Sequence, residues 1–182
     1  MQGDPEIETG DGRSSSRTVV TAVAVVQLLA LSVWAGGLLA LGAVVAPIVF
    51  RVVHAPENAD AMTLVFRRFD RVAMGAAGLV LAAEVWRAVA RERLRAIDVV
   101  RIVVAVIASA LAVWQGALLS PRIAALHDAG ALRGFGPLGL ELESLHRTAE
   151  GEAKAQLALV AALLALHVYS LATRGARDAR DA

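Results

Sequence analysis

The chain has 182 residues with 18 basic and 17 acidic side chains, a formal net charge of +1, so no bulk charge selects for nucleic acid or an acidic substrate. Apolar residues make up 57% and the mean hydropathy is +0.60, above the roughly 45–50% apolar share of ordinary globular domains. The absence of cysteine excludes disulfides, thiolate metal sites and thiol nucleophiles, and the 4% aromatic content argues against base stacking.

Residues 1–17 carry Asp4, Glu6, Glu8 and Asp11 beside Ser14, Ser15 and Ser16, and read as a short disordered tail. The acidic start and the length of the apolar run behind it do not fit a secretory signal. Thr18 to Phe50 is a run of 33 residues without a charge, where a membrane-spanning helix needs about 20. The first span is expected over about 19–47, with Pro47 ending it, because proline lacks an N–H and its ring collides with a helical carbonyl. Trp34 lies mid-span and is expected between helices, beside Gly36 and Gly37, which permit close backbone approach in lipid.

A connection with His54, Pro56, Glu57 and Asp60 leads to Met62, Val65, Phe66, Phe69 and Ala73, spaced as one face of an amphipathic helix at the membrane interface. Arg67, Arg68 and Arg71 on this segment are expected to pair with Asp70 and Glu57. The second span covers about 72–89, with Gly75, Gly78 and Ala82 as a small-residue packing face. An arginine-rich loop precedes the third span, 101–119, which Ser120-Pro121-Arg122 closes. A polar stretch follows, with Leu138, Leu142, Leu145 and Ala149 on one helical face. The fourth span is 155–173, and a basic tail covers 174–182. No internal repeat is read. The fold class is thus all-α, a four-helix transmembrane bundle with amphipathic interfacial helices, residues 18–173 forming one membrane domain.

With both termini in the cytoplasm and the inner membrane as location, ten basic residues fall on inner segments and eight on outer ones. The short loop holding Arg91, Arg93 and Arg95 carries that orientation.

Glu84 is the single acid inside a span, and an intramembrane carboxyl is a functional candidate by default. Arg87 lies one turn on, so the bland reading, a paired structural carboxylate, is preferred. His54, His127 and His146 fall on the predicted outer side and are candidate metal ligands, although none shows ligand spacing. His167 sits in the fourth span and is expected to hydrogen-bond within the bundle; a lone in-membrane histidine cannot clamp a haem. Ser144 and His146, two apart on a helix, do not face each other. No phosphate-binding glycine loop, nucleophile elbow or zincin motif is present, so catalysis and cofactors are not expected.

Val33-Trp34-Ala35-Gly36-Gly37, then Ala46-Pro47 and Phe50, resembles the opening helix of the bacterial domain of unknown function 4149, a family of small four-helix membrane proteins similar to eukaryotic transmembrane protein 205. Phe66-Arg67-Arg68-Phe69 resembles its amphipathic entry to the second helix, Ser120-Pro121-Arg122-Ile123 its motif after the third, and Leu145-His146-Arg147 its signature before the fourth. Ala149 and Lys154 depart from that pattern. The resemblance implies a fold and a membrane location and no reaction. It singles out Trp34, Gly37, Pro47, Pro121, Arg122 and His146; of these Pro47, Pro121 and Arg122, ending helices on the outer side, and His146, opening the fourth helix there, would meet at one outer vestibule or else serve as caps.

The leading expectation is a non-enzymatic accessory or homo-oligomeric membrane component whose partners are the lipid bilayer and a second membrane protein or copy, with no nucleic acid. The alternative is transport or handling of a copper-like metal ion or small solute, with Glu84 and Gln115 lining a polar route; a distant similarity to copper-resistance membrane domains supports it. A membrane enzyme ranks last.

Overall fold

The computed structural model describes residues 11–54, 57–90 and 94–178, with side chains over 18–54, 57–90 and 94–173. Among the described residues every regular element is helical. Helix α1 (Asp11–Ala40) passes through a π-helical turn (Leu41–Val45) into α2 (Ala46–Val52). Helix α3 (Glu57–Val89) returns. Helix α4 (Ala96–Trp114) passes through a second π-helical turn (Gln115–Leu119) into α5 (Ser120–Asp128), and α6 (Gly136–Asp178) completes the fold. Four rods result, each long and apolar enough to cross a membrane. They pack as a ring, α1 against α3, α3 against α4, α4 against α6 and α6 back against α1.

Residues 11–17, expected in a tail, belong to α1, whereas residues 1–10 lie outside the described ones. Neither Pro47 nor Pro121 ends a helix. Each is preceded by one widened turn, in which Ala46 N–H bonds Leu41 O and Ser120 N–H bonds Gln115 O, five residues back. A π turn moves the backbone off the proline ring and absorbs the missing N–H, so the rod bends and continues. The turns stand at the same register, six to two residues before the proline. They share Gly-Ala-x-x-(Ala or Ser)-Pro, Gly42 to Pro47 and Gly116 to Pro121, a repeat missed in the sequence reading.

The core between the rods is mostly alanine (Ala30, Ala73, Ala76, Ala77, Ala105, Ala108, Ala112), filled by Leu31, Val80, Val160, Leu163 and the fully buried Trp34. Small side chains let helices approach in lipid, where dispersion and shape hold them. Outside this core Val25, Leu29, Val33, Leu79, Val103, Val106, Ile107 and Val168 are exposed, as a lipid-facing belt requires.

Helix α6, at 43 residues and about 64 Å, is twice the hydrocarbon thickness. Apart from Arg174, Arg177 and Asp178 at its end, its charges lie between Glu141 and Lys154, which places its first half beyond the lipid against α5. Leu119, Ile123, Leu126 and Leu142 form a second core there, flanked by Leu145 and Ala149. The chain turns between α5 and α6 on left-handed Gly130 (φ 73°) and on Gly134 (φ 80°), whose N–H bonds Gly139 O at 3.0 Å. The expected amphipathic segments are thus the first turns of α3 and α6. Met62 is buried and Leu142 fully so, while Phe66 and Leu138 face out.

Two adjacent glycines differ. A Cβ at Gly37 would overlap the Phe69 ring, whereas one at Gly36 meets nothing within 4 Å. Gly37→Leu is therefore expected to cost about 1–3 kcal/mol by overpacking and to lower the midpoint of thermal unfolding in detergent by several degrees. Gly36→Leu should leave that midpoint unchanged; equal shifts for the two would refute the packing described.

Candidate functional site: a buried charge cluster

Each rod delivers polar groups to one level of the bundle. Glu84 on α3 is 1% exposed and accepts from Gln27 Nε2 of α1 at 2.7 Å and from Arg101 Nε of α4 at 2.8 and 2.9 Å. Arg87 Nη1, one turn along α3, stands 3.5 Å from the same carboxylate. Arg87 also reaches His167 Nε2 of α6 at 2.6 Å. A guanidinium only donates, so Nε2 accepts, the imidazole is neutral, and Nδ1–H donates to Leu163 O at 3.2 Å. Asp98 lies 3.3 Å from Arg101 Nη1, and its Oδ2 accepts from Arg95 N–H at the start of α4, at 3.2 Å.

Two carboxylates and two guanidiniums sum to zero. This is how a low-dielectric bundle tolerates four charges, since an unpaired one would cost several kcal/mol. Glu84 is thus paired, with Arg101 as its main partner and Arg87, the partner expected from the sequence, as its secondary one.

The sequence opens the third span at Arg101 and counts that residue toward orientation, and it does not single out Gln27 or Asp98. A signal existed. Glu84 and Arg101 stand symmetrically about residues 92 and 93, the centre of a short antiparallel hairpin, and Asp98 precedes Arg101 by one turn.

Gln115 does not join this site. It lies fourteen residues beyond Arg101 on the same rod, about 21 Å away, beside a second polar level. There Asp70, 7% exposed, accepts from Ser120 Oγ at 2.5 Å. The expected pairing of Asp70 with Arg67, Arg68 and Arg71 is wrong, because Asp70 sits on the buried face of α3 with Ala73 and Ala77 while those arginines face out. Arg71 Nε turns back to Arg67 O instead. Trp34, expected between helices, donates from Nε1 to Gln156 Oε1 at 3.3 Å.

The residues picked out for an outer vestibule do not converge as a set. Pro121 shapes the bend before α5, and Arg122 next to it pairs with Glu141 of α6 at 2.6 Å. Pro47 is exposed on the first rod, and Trp34 and Gly37 belong to the core. His146 lies ten residues inside α6 rather than at its start. Of the three candidate metal ligands, His127 and His146 meet, with ring centroids 5.7 Å apart, and His54 is not brought to them. Nearby, Arg133 pairs with Glu143, which pushes the guanidinium pKa further up. Among the described residues no group of three His, Asp or Glu side chains assembles as a closed metal shell.

A ring of four apolar rods around a neutral, internally paired charge cluster defines a multi-pass integral membrane protein. The signature of the domain of unknown function (DUF4149) matches residues 29–131, and the chain belongs to that family. No curated protein and no solved structure matches it.

Glu84→Gln leaves Arg101 buried with half its charge partners, and is expected to destabilise the bundle by about 3–5 kcal/mol, read as a large fall in the thermal midpoint. Glu84→Gln combined with Arg101→Met should recover much of that loss. A double variant as unstable as the sum of the singles would overturn the pairing.

Proposed function

We propose that the chain is a non-enzymatic membrane component that acts by lateral association with a second copy of itself in the bilayer. One observation carries this reading. Gly36, Gly75 and Gly78 are exposed on the outside of the ring, and a Cβ at any of them would meet nothing within 4 Å. The bundle's own packing therefore has no use for glycine there, in contrast to Gly37 against Phe69 and Gly116 against Met74. In lipid an outward small-residue face is what lets a second helix come close. The internally neutralised cluster at Glu84 fits the same role, since it locks the rods together and offers no reactive group to a substrate.

We place the protein in the inner membrane with both termini in the cytoplasm. Arg87 and Arg101 are consumed inside the bundle, so the orientation rests on Arg91, Arg93 and Arg95 in the short hairpin; residues 91–93 lie outside the described ones. The similarity to eukaryotic transmembrane protein 205 is proposed on the Trp34 to Pro47 and Ser120 to Ile123 motifs.

The chain has no native cysteine, so single-cysteine crosslinking is free of background. In liposomes, Gly36→Cys and Gly78→Cys should give covalent dimers on oxidation, and the inward Gly116→Cys should not. Gly36→Leu should cut energy transfer between labelled copies by more than half. Equal crosslinking at all three positions, or none at any, would reject the association.

A further inference from the structure

The extramembrane hairpin of α5 and the first half of α6 carries a feature that lateral association does not use. His127 closes α5 and His146 projects from α6, and their half-buried rings stand 5.7 Å apart at an interplanar angle of 66°. The second core, Ile123 and Leu126 against Leu142 and Leu145, fixes the two helices on either side of the pair. The rings are thus held by packing rather than by the pair itself. Neither imidazole hydrogen-bonds to any described residue, which leaves four ring nitrogens without protein partners at one place. His167 is the contrast, with both nitrogens engaged.

We propose that His127 and His146 together hold one late first-row transition-metal ion, copper(II) or zinc(II). Neutral imidazole is the side-chain donor that suits these ions. An imidazole nitrogen binds at about 2.0–2.1 Å, which sets the ring centroid about 3.2 Å from the metal, and two rings at a tetrahedral to trigonal angle then have centroids about 5.2–5.6 Å apart. The observed 5.7 Å lies just beyond that range, so a metal would draw the two side chains together by about 0.1–0.5 Å. Two imidazoles fill half a tetrahedral shell and leave the remaining positions to water, an open site rather than a closed structural one. Arg133 faces this region and would repel a cation, but its charge is offset by Glu143, which also pairs with Arg147 at 3.1 Å. The hairpin stands clear of the lipid-facing glycines, so the site is independent of the association proposed above.

The test uses tag-free, full-length protein in detergent, stripped with a chelator and titrated with Zn2+ and with Cu2+ against a competing chromogenic chelator. One ion per chain is expected, with binding weakened at least tenfold by His127→Ala or His146→Ala and removed when both are changed. His54→Ala should bind as the parent does. His127→Gln and His146→Gln, which keep volume and polarity, should lose the metal while circular dichroism and the thermal midpoint of the metal-free protein stay unchanged. Less than about one fifth of an ion per chain in the parent overturns the proposal. Undiminished binding in the double variant overturns it equally, as does loss of binding in His54→Ala. Crosslinking at Gly36 is expected to be the same with and without metal, which separates failure here from failure of the association reading.

Discussion

Glu84 cannot be a charge in lipid alone, and the geometry of the whole bundle follows from that constraint. Its carboxylate takes a hydrogen bond from Gln27 on α1 and two from Arg101 on α4, and Arg87 beside it passes the contact on to His167 of α6. Every rod therefore contributes one partner at a single depth, which fixes the rotation of each helix about its own axis. An alanine-rich core alone would not do this, because small side chains permit close approach at many rotations. The polar cluster selects one of them, and Trp34, donating to Gln156 across the α1–α6 seam, fixes a second level. Specificity of this sort is the best-attested service of buried polar groups.

The membrane class, the four spans and the burial of Trp34 were legible in the sequence because each rests on one helix's composition. Glu84 was legible as an oddity for the same reason. Its main partner was not, since pairing Arg101 with it requires knowing that α3 and α4 run antiparallel about a short hairpin. Arg101, read as the first residue of the third span, was counted toward orientation like the loop arginines before it. Asp70 misled in the opposite way. Three neighbouring arginines suggested an exposed ion-pair network, while its helical phase with Ala73 and Ala77 already pointed it inward toward Ser120. Local charge proximity lost to helical periodicity, which decides where a side chain can go before electrostatics decides what it meets. The meeting of His127 and His146 was hidden by eighteen intervening residues and a glycine-built turn.

Pro47 and Pro121 show how a propensity rule can be right in mechanism and wrong in outcome. Proline does remove a donor and crowd the preceding turn, yet the backbone answers with a π turn instead of stopping. At Pro47, flanked by the outward Val44, Ile48 and Phe50, ending the helix in lipid would expose several unpaired carbonyls, so bending and continuing is the cheaper solution. A soluble protein, with water to satisfy those groups, is under no such compulsion.

The repeated device is also where the two hairpins part company. In the first copy the positions around the proline are Leu41, Ala46 and Ile48, and Gly42, Ala43 and Val44 face lipid. In the second the same register holds Gln115, Ser120 and Arg122, and Gly116 packs against Met74 and the Asp70 side chain. The same π turn is thus furnished once with apolar groups and once with polar ones, of which Ser120 is buried, Gln115 half-buried and Arg122 exposed. Ser120 then holds Asp70 at the mouth of the bundle, and Arg122 holds Glu141 at the base of the extramembrane hairpin. The first rod's bend serves the membrane. The second joins the membrane core to the hairpin that carries His127 and His146, as the unbroken α6 does on the hairpin's other side.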